Sequence, residues 1–278
     1  MSWTQHLVST DRGVFEVFTA GEGNPICVTH YYSAFMQRGN YFADQFISCG
    51  TVILVNLEDC GNSDKAKDEF EFDMNETVDD LEAIRSALGY TKWTFAGHST
   101  GGMLGLVYAI RYGGFLNKLV VAGAAASNNY MESRQSIYSR KNPRNARLLE
   151  IFSILQSTES SLEVKVQAGR EWTEMSLHYP EKWDEYFNKP SSGKTIQSRL
   201  DYYNKILPSF DIRATLYKIE TPTLILCGKF DAQCPLDSSA EIQQLIRGSR
   251  LHIFEESNHC PHIEEPMLFK SVINYFLN

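Results

Sequence analysis

The sequence lacks the segments that would export a protein or hold it in a membrane. No apolar run approaches the roughly 18 residues that a membrane-spanning helix requires. The opening residues, MSWTQHLVSTDRG, contain neither a basic head nor an apolar core of signal-peptide length. We therefore expect a cytoplasmic protein that does not bind a membrane.

An excess of basic residues is also missing. The chain has 26 Lys and Arg against 34 Asp and Glu, which gives a formal net charge of -8. A nucleic-acid partner attracts a positively charged protein, so this acidic balance argues against one. The sequence contains no internal repeat and no low-complexity segment.

The six cysteines are scattered, with no CxxC pair of the kind that zinc and redox sites use. Cys27 and Cys227 fall inside apolar, strand-like runs. Because free cysteine is among the most buried residue types, we predict buried, reduced thiols rather than disulfides or metal ligands.

Short, unbroken apolar runs are what the chain has instead. Two alternating runs around a turn-like Asp-Arg-Gly, at residues 6–10 and 14–19, predict an antiparallel hairpin. Six later runs, mostly β-branched, are typical of strands buried on both faces, and helical patterns separate most of them. The sequence therefore predicts an α/β fold with a mostly parallel, doubly wound sheet. The six runs are residues 26–29, 52–56, 93–96, 119–122, 224–227 and 251–254.

The clearest helix begins near Asp73, where Glu76 stands three residues on as in a capping box, and it ends at Gly89. A helix with both signals at its ends and an apolar face between them is expected to pack on the sheet.

One interval breaks the alternation of strands and helices. Between Ser127 and about Phe210 the sequence is helical and rich in aromatics, with no convincing strand. We predict a core domain formed by residues 1–126 and 211–278, and an inserted helical cap at residues 127–210. The aromatic side chains of the cap either line a pocket or only pack its helices together.

The segment FAGHSTGGMLGL, residues 95–106, places Ser99 between glycines, after a strand-like run and before a helical one. The chain must turn sharply at such a join, and glycine permits the close backbone approach that this requires. The turn pushes the serine hydroxyl outward, as a nucleophile needs. A tight turn with an incidental serine is the alternative.

A serine hydroxyl is a weak nucleophile until a base takes its proton, and the base needs a third group to orient it. Asp231 follows the apolar run at 224–227, and His259 follows the run at 251–254. The carboxyl ends of parallel strands meet at one edge of a sheet, so both can converge on Ser99.

Each partner has an alternative explanation. Asp231 could cap a helix that starts near Pro235, and His259 could be a solvated loop residue. His262 is the rival base, and His30 also lies near the predicted site. The other histidines lack a place at a strand end: His6, His98, His178 and His252.

Acyl transfer also needs two donors aimed at the developing oxyanion. The amide of Thr100, directly after the nucleophile, supplies one of them. The second is expected from the loop HYYSAF after the run at 26–29, where we assign the amide of Tyr32, with Tyr31 as the fallback.

Three segments together resemble the α/β-hydrolase superfamily over nearly the whole chain: GHSTGG as nucleophile elbow, GKFD as acid loop and SNHCPHIEEP as histidine loop. The closest similarity is to the proline iminopeptidase group, whose approach to the acid loop resembles FDIRATLYKIETPTLILCGKFDAQCP. The resemblance implies a sheet of about eight strands, a helical cap and the chain order Ser, Asp, His. It also implies that no metal and no organic cofactor takes part.

Two loops depart from the pattern of the family. Tyr31 stands where a glycine usually follows the histidine of the oxyanion loop, so we expect a narrower pocket floor. In NLEDCGNSD, Glu58 and Asp59 replace the arginine and the first glycine of a loop that resembles DxRGxGxS. Any function that depends on that arginine is in doubt.

Substrate-binding residues are expected from the oxyanion loop and the cap. Iminopeptidases hold the ammonium group of a substrate with cap carboxylates, and the resemblance makes Glu171 and Glu174 the candidates; as plain surface glutamates they would need no role. The remaining candidates are His30, Tyr31 and Trp172.

The sequence therefore predicts a lid-covered serine hydrolase that cleaves an ester or amide bond of a small molecule or short peptide through an acyl-enzyme. A proline iminopeptidase-like enzyme, a carboxylesterase and a hydrolase of carbon–carbon bonds all stay open. A ligand-binding receptor without turnover is the alternative from another class. A homo-oligomer also stays open.

Overall fold

Strands alternate with helices in the computed structural model, which describes residues 3–278. Eight strands form one sheet in the order β1-β2-β5-β3-β6-β7-β9-β10, and β4 pairs with β8 in a separate two-stranded ribbon. The strands are β1 (Thr4–Ser9), β2 (Val14–Ala20), β3 (Pro25–Thr29), β4 (Ser33–Ala34), β5 (Thr51–Val55), β6 (Trp93–His98), β7 (Leu116–Ala122), β8 (Lys194–Thr195), β9 (Thr223–Gly228) and β10 (Arg250–Phe254).

The predicted fold class is confirmed. β1 and β2 form the expected antiparallel hairpin, β2 pairs antiparallel with β5, and all later neighbours in the sheet are parallel. Each of the six predicted runs corresponds to a strand, and the predicted ends differ from the observed ends by at most three residues; Asn56 lies just outside β5. His98, which we expected away from any strand end, is the last residue of β6. The apolar run stops at Ala96, so its pattern could not include the two residues that follow.

Alternate strand residues pack on opposite faces of the sheet, which gives the molecule two hydrophobic cores. Cys27 of β3 points into one core, whereas Ile26 and Val28 on either side of it point into the other. Both faces are covered by helices, which explains why the strands are continuous apolar runs rather than alternating ones.

Nine helices cover the sheet and the cavity described below, within residues 3–278. They are α1 (Met74–Ala87), α2 (Thr100–Tyr112), α3 (Asn145–Gln156), α4 (Leu162–Glu174), α5 (Trp183–Tyr186), α6 (Gln197–Ile206), α7 (Leu236–Leu245), α8 (Pro261–Glu264) and α9 (Pro266–Leu277). Across the part of the chain that the structure describes, no helix has both the length and the apolar character needed to cross a bilayer.

The ends of α1 agree with the prediction in part. Asp73 caps the helix by accepting from Asn75 N, and Gly89 follows its end with a positive φ of 77°. The prediction of a capping box is wrong. The Glu76 carboxylate accepts from Arg12, and the Asp73 amide donates to Phe70 O and not to Glu76.

The segment of residues 127–210, called the inserted segment below, holds α3 to α6. Its first residue, Ser127, forms an antiparallel bridge with Asp211, the residue that directly follows the segment. The expectation that it contains no strand is wrong, because β8 lies within it and pairs with β4. A two-residue strand that pairs across more than 150 residues of chain has no periodicity to detect.

All six cysteines are unpaired thiols. Cys27 and Cys227 are buried as predicted, and so are Cys60 and Cys234, whereas Cys49 and Cys260 are partly buried. Burial raises the pKa of the Cys60 thiol to about 11, which keeps it in the protonated, unreactive form.

Candidate active site

Ser99 lies at the turn between β6 and α2 with φ 56° and ψ −124°, a backbone conformation that is strained for any residue except glycine. A Cβ atom at Gly97 would lie 2.1 Å from the carbonyl oxygen of Gly101. Only glycine fits there, so the sequence pattern around Ser99 follows from the tightness of the turn. The Ser99 amide donates to Ala122 O at 2.8 Å and ties the turn to the neighbouring strand β7.

His259 and Asp231 form a buried pair at the same edge of the sheet. His259 Nδ1 lies 3.0 and 2.9 Å from the two carboxylate oxygens of Asp231, and both residues are 3% exposed. An ionised carboxylate only accepts, so Nδ1 carries the proton and Nε2 keeps a free lone pair. The pair therefore has the tautomer that a general base requires.

Asp231 also organises its own loop. Its Oδ1 atom accepts from the amides of Gln233 and Cys234, both at 2.9 Å. The expected alternative, a cap on the helix near Pro235, is not formed, because α7 has no side-chain cap. The carboxylate is thus fixed by backbone amides and by His259 together.

Gly123 is a site residue that the sequence analysis missed. It follows β7 with φ 54°, and a Cβ atom there would lie 3.1 Å from His259 Nδ1 and 3.2 Å from Asp231 Oδ2. A side chain would crowd the His–Asp pair. A glycine directly after a buried strand of the sheet was the available signal.

Two other histidine rings form a row with His259, in which His98 lies between His259 and His262. His98 Nε2 donates to the carbonyl oxygen of His259 at 2.8 Å, and the His262 ring packs on His98 with 4.8 Å between centroids. Burial lowers the pKa of His262 to about 3, so its ring stays neutral. Neither ring is hydrogen-bonded to a carboxylate within residues 3–278, which separates the rival His262 from His259.

Ser99 Oγ makes no hydrogen bond to another residue in the described part of the chain. Such contacts are often long in a free enzyme and shorten when substrate binds. The chain next to Ser99 nevertheless contacts His259: the ring of His98, the residue before Ser99, lies 4.6 Å from the His259 ring, measured between centroids.

Thr100 and Tyr32, whose amides are the predicted oxyanion donors, both line the cavity that also contains Ser99. Thr100 is the first residue of α2, so its amide has no acceptor within the helix. His30 joins the two loops, since its Nδ1 lies 2.8 Å from Ser33 Oγ and its Nε2 lies 3.1 Å from Thr100 Oγ1. Burial lowers the pKa of His30 to about 3, so the bridge is made by a neutral ring.

A cavity of about 510 Å³ opens beside Ser99. Tyr32, Thr100 and Trp172 line it together with apolar and amide side chains, most of them from the inserted segment. No Asp, Glu, Lys or Arg lines it among the residues that the structure describes. The aromatic and aliphatic lining comprises Met103, Tyr130, Met131, Tyr138, Leu148, Leu149, Phe152, Leu155, Leu200, Tyr203 and Leu207.

Several predicted substrate-binding residues lie outside the cavity lining. Glu171 forms two 2.7 Å hydrogen bonds with Arg147, and Glu174 forms a 2.8 Å bond with Arg170. Each carboxylate is about a third exposed and paired on the surface of the inserted segment, so neither faces the cavity as an ammonium anchor would. Ion pairs that are this exposed to water contribute little to the stability of the fold.

Tyr31 and His30 support the loop after β3 and do not line the cavity. Tyr31 is fully buried, and its hydroxyl donates to Phe72 O. The expected narrowing of the pocket floor by Tyr31 is therefore wrong, because the ring points into the core away from the cavity.

Asp59 is part of the second loop that departs from the family pattern, and the structure shows how the loop accommodates it. Asp59, in place of a glycine, takes a positive φ of 64°, a conformation that aspartate tolerates better than most residues. Its Oδ2 atom accepts from Ser198 Oγ of the inserted segment at 2.7 Å. Beside it, the guanidinium of Arg199 is fully buried. The sequence analysis missed Arg199, although its place on one face of α6 with Tyr202 and Tyr203 was a signal of burial.

Comparison with known proteins agrees with this architecture. The alpha/beta hydrolase fold family matches residues 50–266. An alpha/beta fold family hydrolase from Bacillus anthracis str. Sterne is 45% identical, with a TM-score of 0.97 over 99% of this chain and 100% of the other. An esterase from Exiguobacterium antarcticum shares the fold at 23% identity and a TM-score of 0.73, over 99% of each chain.

A proline iminopeptidase from Saccharolobus solfataricus is 28% identical over 249 residues, which is 82% of this chain and 76% of the other. The family match spans most of the chain and includes the elbow, the acid loop and the histidine loop. The chain therefore belongs to the alpha/beta hydrolase fold family and is a hydrolase.

Proposed function

We propose that the protein is a serine hydrolase that cleaves esters with an uncharged, apolar acyl or alcohol group. The observation that carries the proposal is the opening of an uncharged 510 Å³ cavity at Ser99, at the sheet edge where His259 and Asp231 pair. Pockets of this size bury most of a small ligand, and their few polar groups set its orientation.

In the proposed reaction, His259 Nε2 takes the proton of Ser99 Oγ while Oγ attacks the ester carbonyl carbon. The oxyanion that forms accepts hydrogen bonds from the amides of Thr100 and Tyr32. His259 then gives the proton to the departing alkoxide, and an acyl-enzyme remains on Ser99. Water attacks this ester in the same way, and the acid is released.

The uncharged lining of the cavity favours a neutral ester as the substrate over a peptide with a free amino terminus. A free ammonium group that leaves water needs a carboxylate partner, and no described lining residue is acidic. Glu171 and Glu174 are already paired with arginines. A neutral ester needs no such partner and gains from contact with the apolar lining.

An aminopeptidase is the second candidate, and the similarity to the iminopeptidase of Saccharolobus solfataricus favours it. Closure of the inserted segment on a substrate would have to bring a carboxylate to the ammonium group in that case. Direct comparison of two chromogenic substrates distinguishes the candidates.

The test measures kcat/KM for p-nitrophenyl butyrate and for proline p-nitroanilide in wild-type protein and in the variant Ser99→Ala. We expect hydrolysis of the ester at least a hundredfold faster than hydrolysis of the anilide, and a loss of roughly 10⁶-fold in the variant. The exposed Ser48→Ala is the matched control and should retain wild-type rates. Preference for the anilide would favour the aminopeptidase, and turnover that survives Ser99→Ala would exclude the serine mechanism.

A further inference from the structure

The inserted segment holds the loop that carries the Tyr32 amide. β4 and β8 pair Ser33 with Thr195 and Ala34 with Lys194. The Ile196 amide then donates to the carbonyl oxygen of Tyr32 at 2.9 Å. The backbone on one side of the expected oxyanion site is thus fixed by residues that lie more than 150 positions later in the chain.

Arg199, one helical turn after β8, reaches the same loop with its side chain. Its Nε atom donates to the carbonyl oxygen of Tyr31 at 2.6 Å. Its two other nitrogens donate to Glu58 O at 3.3 Å and to Thr77 Oγ1 at 3.0 Å. The guanidinium also lies 5.0 Å from the centroid of the Tyr31 ring. The plane of the guanidinium is fixed by these three acceptors, which lie in different directions, and by the face of the Tyr31 ring.

The Tyr31 carbonyl and the Tyr32 amide belong to one peptide group. This group is planar and trans, so its C=O and N–H bonds point in opposite directions. A donor that holds the oxygen of Tyr31 on the core side therefore directs the N–H of Tyr32 to the other side. A charged donor on the oxygen also polarises the peptide and strengthens its N–H as a donor.

The burial of this guanidinium is costly without an ion pair. Arg199 is fully buried, yet it forms no salt bridge within residues 3–278. Apolar side chains of similar volume would commonly hold a helix on the core as well or better. A need for a charged donor at the carbonyl of Tyr31 would explain why an arginine is buried at this position.

We propose that Arg199 is a positioning residue that orients and polarises the Tyr31–Tyr32 peptide, so that the Tyr32 amide donates to the oxyanion formed at Ser99. The inference rests on the proposed serine-hydrolase function. It makes the inserted segment a part of the transition-state machinery and not only a cover for the cavity.

The test compares Arg199→Met and Arg199→Lys with Arg170→Met, which removes an exposed arginine of the same segment. For p-nitrophenyl butyrate we expect Arg199→Met to lower kcat about 10- to 100-fold while KM stays within threefold, since loss of one oxyanion donor costs roughly 10²–10³-fold. Arg199→Lys keeps the positive charge but loses the planar guanidinium with its several fixed N–H donors, and it should lower kcat at least fivefold. Arg170→Met should match the wild type.

A transition-state analogue supplies a readout that a purely structural role would not change. Affinity for an alkyl trifluoromethyl ketone, which forms a tetrahedral oxyanion on serine, should fall in the Arg199 variants by the same factor as kcat/KM. Circular dichroism and thermal unfolding identify variants that fold.

A folded Arg199→Met enzyme with kcat within threefold of wild type would overturn the inference, and so would a rise in KM at unchanged kcat. If Arg199→Met does not fold, Arg199→Lys decides, and a kcat within twofold of wild type overturns the inference. Failure of the serine mechanism is recognised separately, in otherwise wild-type protein, by turnover that survives Ser99→Ala.

Discussion

Gly123 shows how the candidate site depends on the absence of a side chain. A methyl group there would lie 3.1 Å from the His259 ring and would sit on a backbone with φ 54°. We predict that Gly123→Ala lowers kcat by 10- to 100-fold, because a shift of His259 by about 1 Å misplaces the base. Steady-state kinetics with an aryl ester, together with the Tm, measure the effect.

Gly114→Ala is the control, because no atom lies within 4 Å of a Cβ atom at that position and its φ is not positive. It should leave kcat unchanged. Equal kcat values for Gly123→Ala and wild type would mean that the His–Asp pair does not need its observed place.

Single residues differ in how far the sequence predicted them. Ser99, Asp231 and His259 could be chosen because each follows an apolar strand, and the topology of a parallel sheet brings strand ends together. Gly123 and Arg199 each left a signal in the sequence, but the signal did not indicate their contacts, which are made with atoms of distant residues. The ion pair of Glu171 could not be predicted, because its partner Arg147 lies on another helix, whereas the i,i+4 spacing of Arg170 and Glu174 was a signal for their pairing.

At the scale of elements, the loop after β5 and the helix α1 enclose a carboxyl group that responds to pH. Burial, and then the charge of Asp80, raise the pKa of Glu58 from 4.5 to about 7. Its Oε2 atom is buried without a hydrogen-bond partner in the described residues. The folded state therefore binds this proton more tightly than the unfolded state does.

The sign of the pH dependence follows from that difference. The stability due to the protonated Glu58 is fully present below about pH 4.5 and is lost as the pH rises through about 7. We predict that Glu58→Gln gains stability relative to wild type between pH 4.5 and pH 8.5, by on the order of 1–3 kcal/mol. Urea unfolding at both pH values measures the free energies. A constant difference between the two proteins across this range would contradict the prediction.

Elements with a recognisable apolar pattern could be predicted from the sequence, and elements without such a pattern could not. The buried strands were found as short, unbroken apolar runs, and α1 was found because its apolar residues repeat at helical spacing. The β4–β8 ribbon has two residues in each strand, so pairing across the fold, and not local sequence, forms it. The Glu76 side chain likewise follows a tertiary partner, Arg12, over its local role in a capping box.

At the scale of the whole molecule, one edge of the sheet holds Ser99, Asp231 and His259, and the inserted segment supplies most of the cavity wall. This division predicts a dependence on acyl chain length. Each added methylene that is buried contributes about 0.8 kcal/mol, or roughly a fourfold gain in kcat/KM, until the cavity is filled. A series of p-nitrophenyl esters from acetate to laurate should show a rise followed by a plateau or a fall. A flat series, or a preference for acetate, would contradict an apolar acyl site.

The account as a whole depends on an activated hydroxyl at Ser99, and covalent labelling tests that claim most directly. Wild-type protein is treated with a fluorophosphonate, digested, and mapped by mass spectrometry. We predict one stoichiometric adduct, on Ser99, with labelling strongly slowed in Asp231→Asn because His259 then loses its tautomer. An adduct on another residue, or an unlabelled Ser99 in folded protein, would contradict the account.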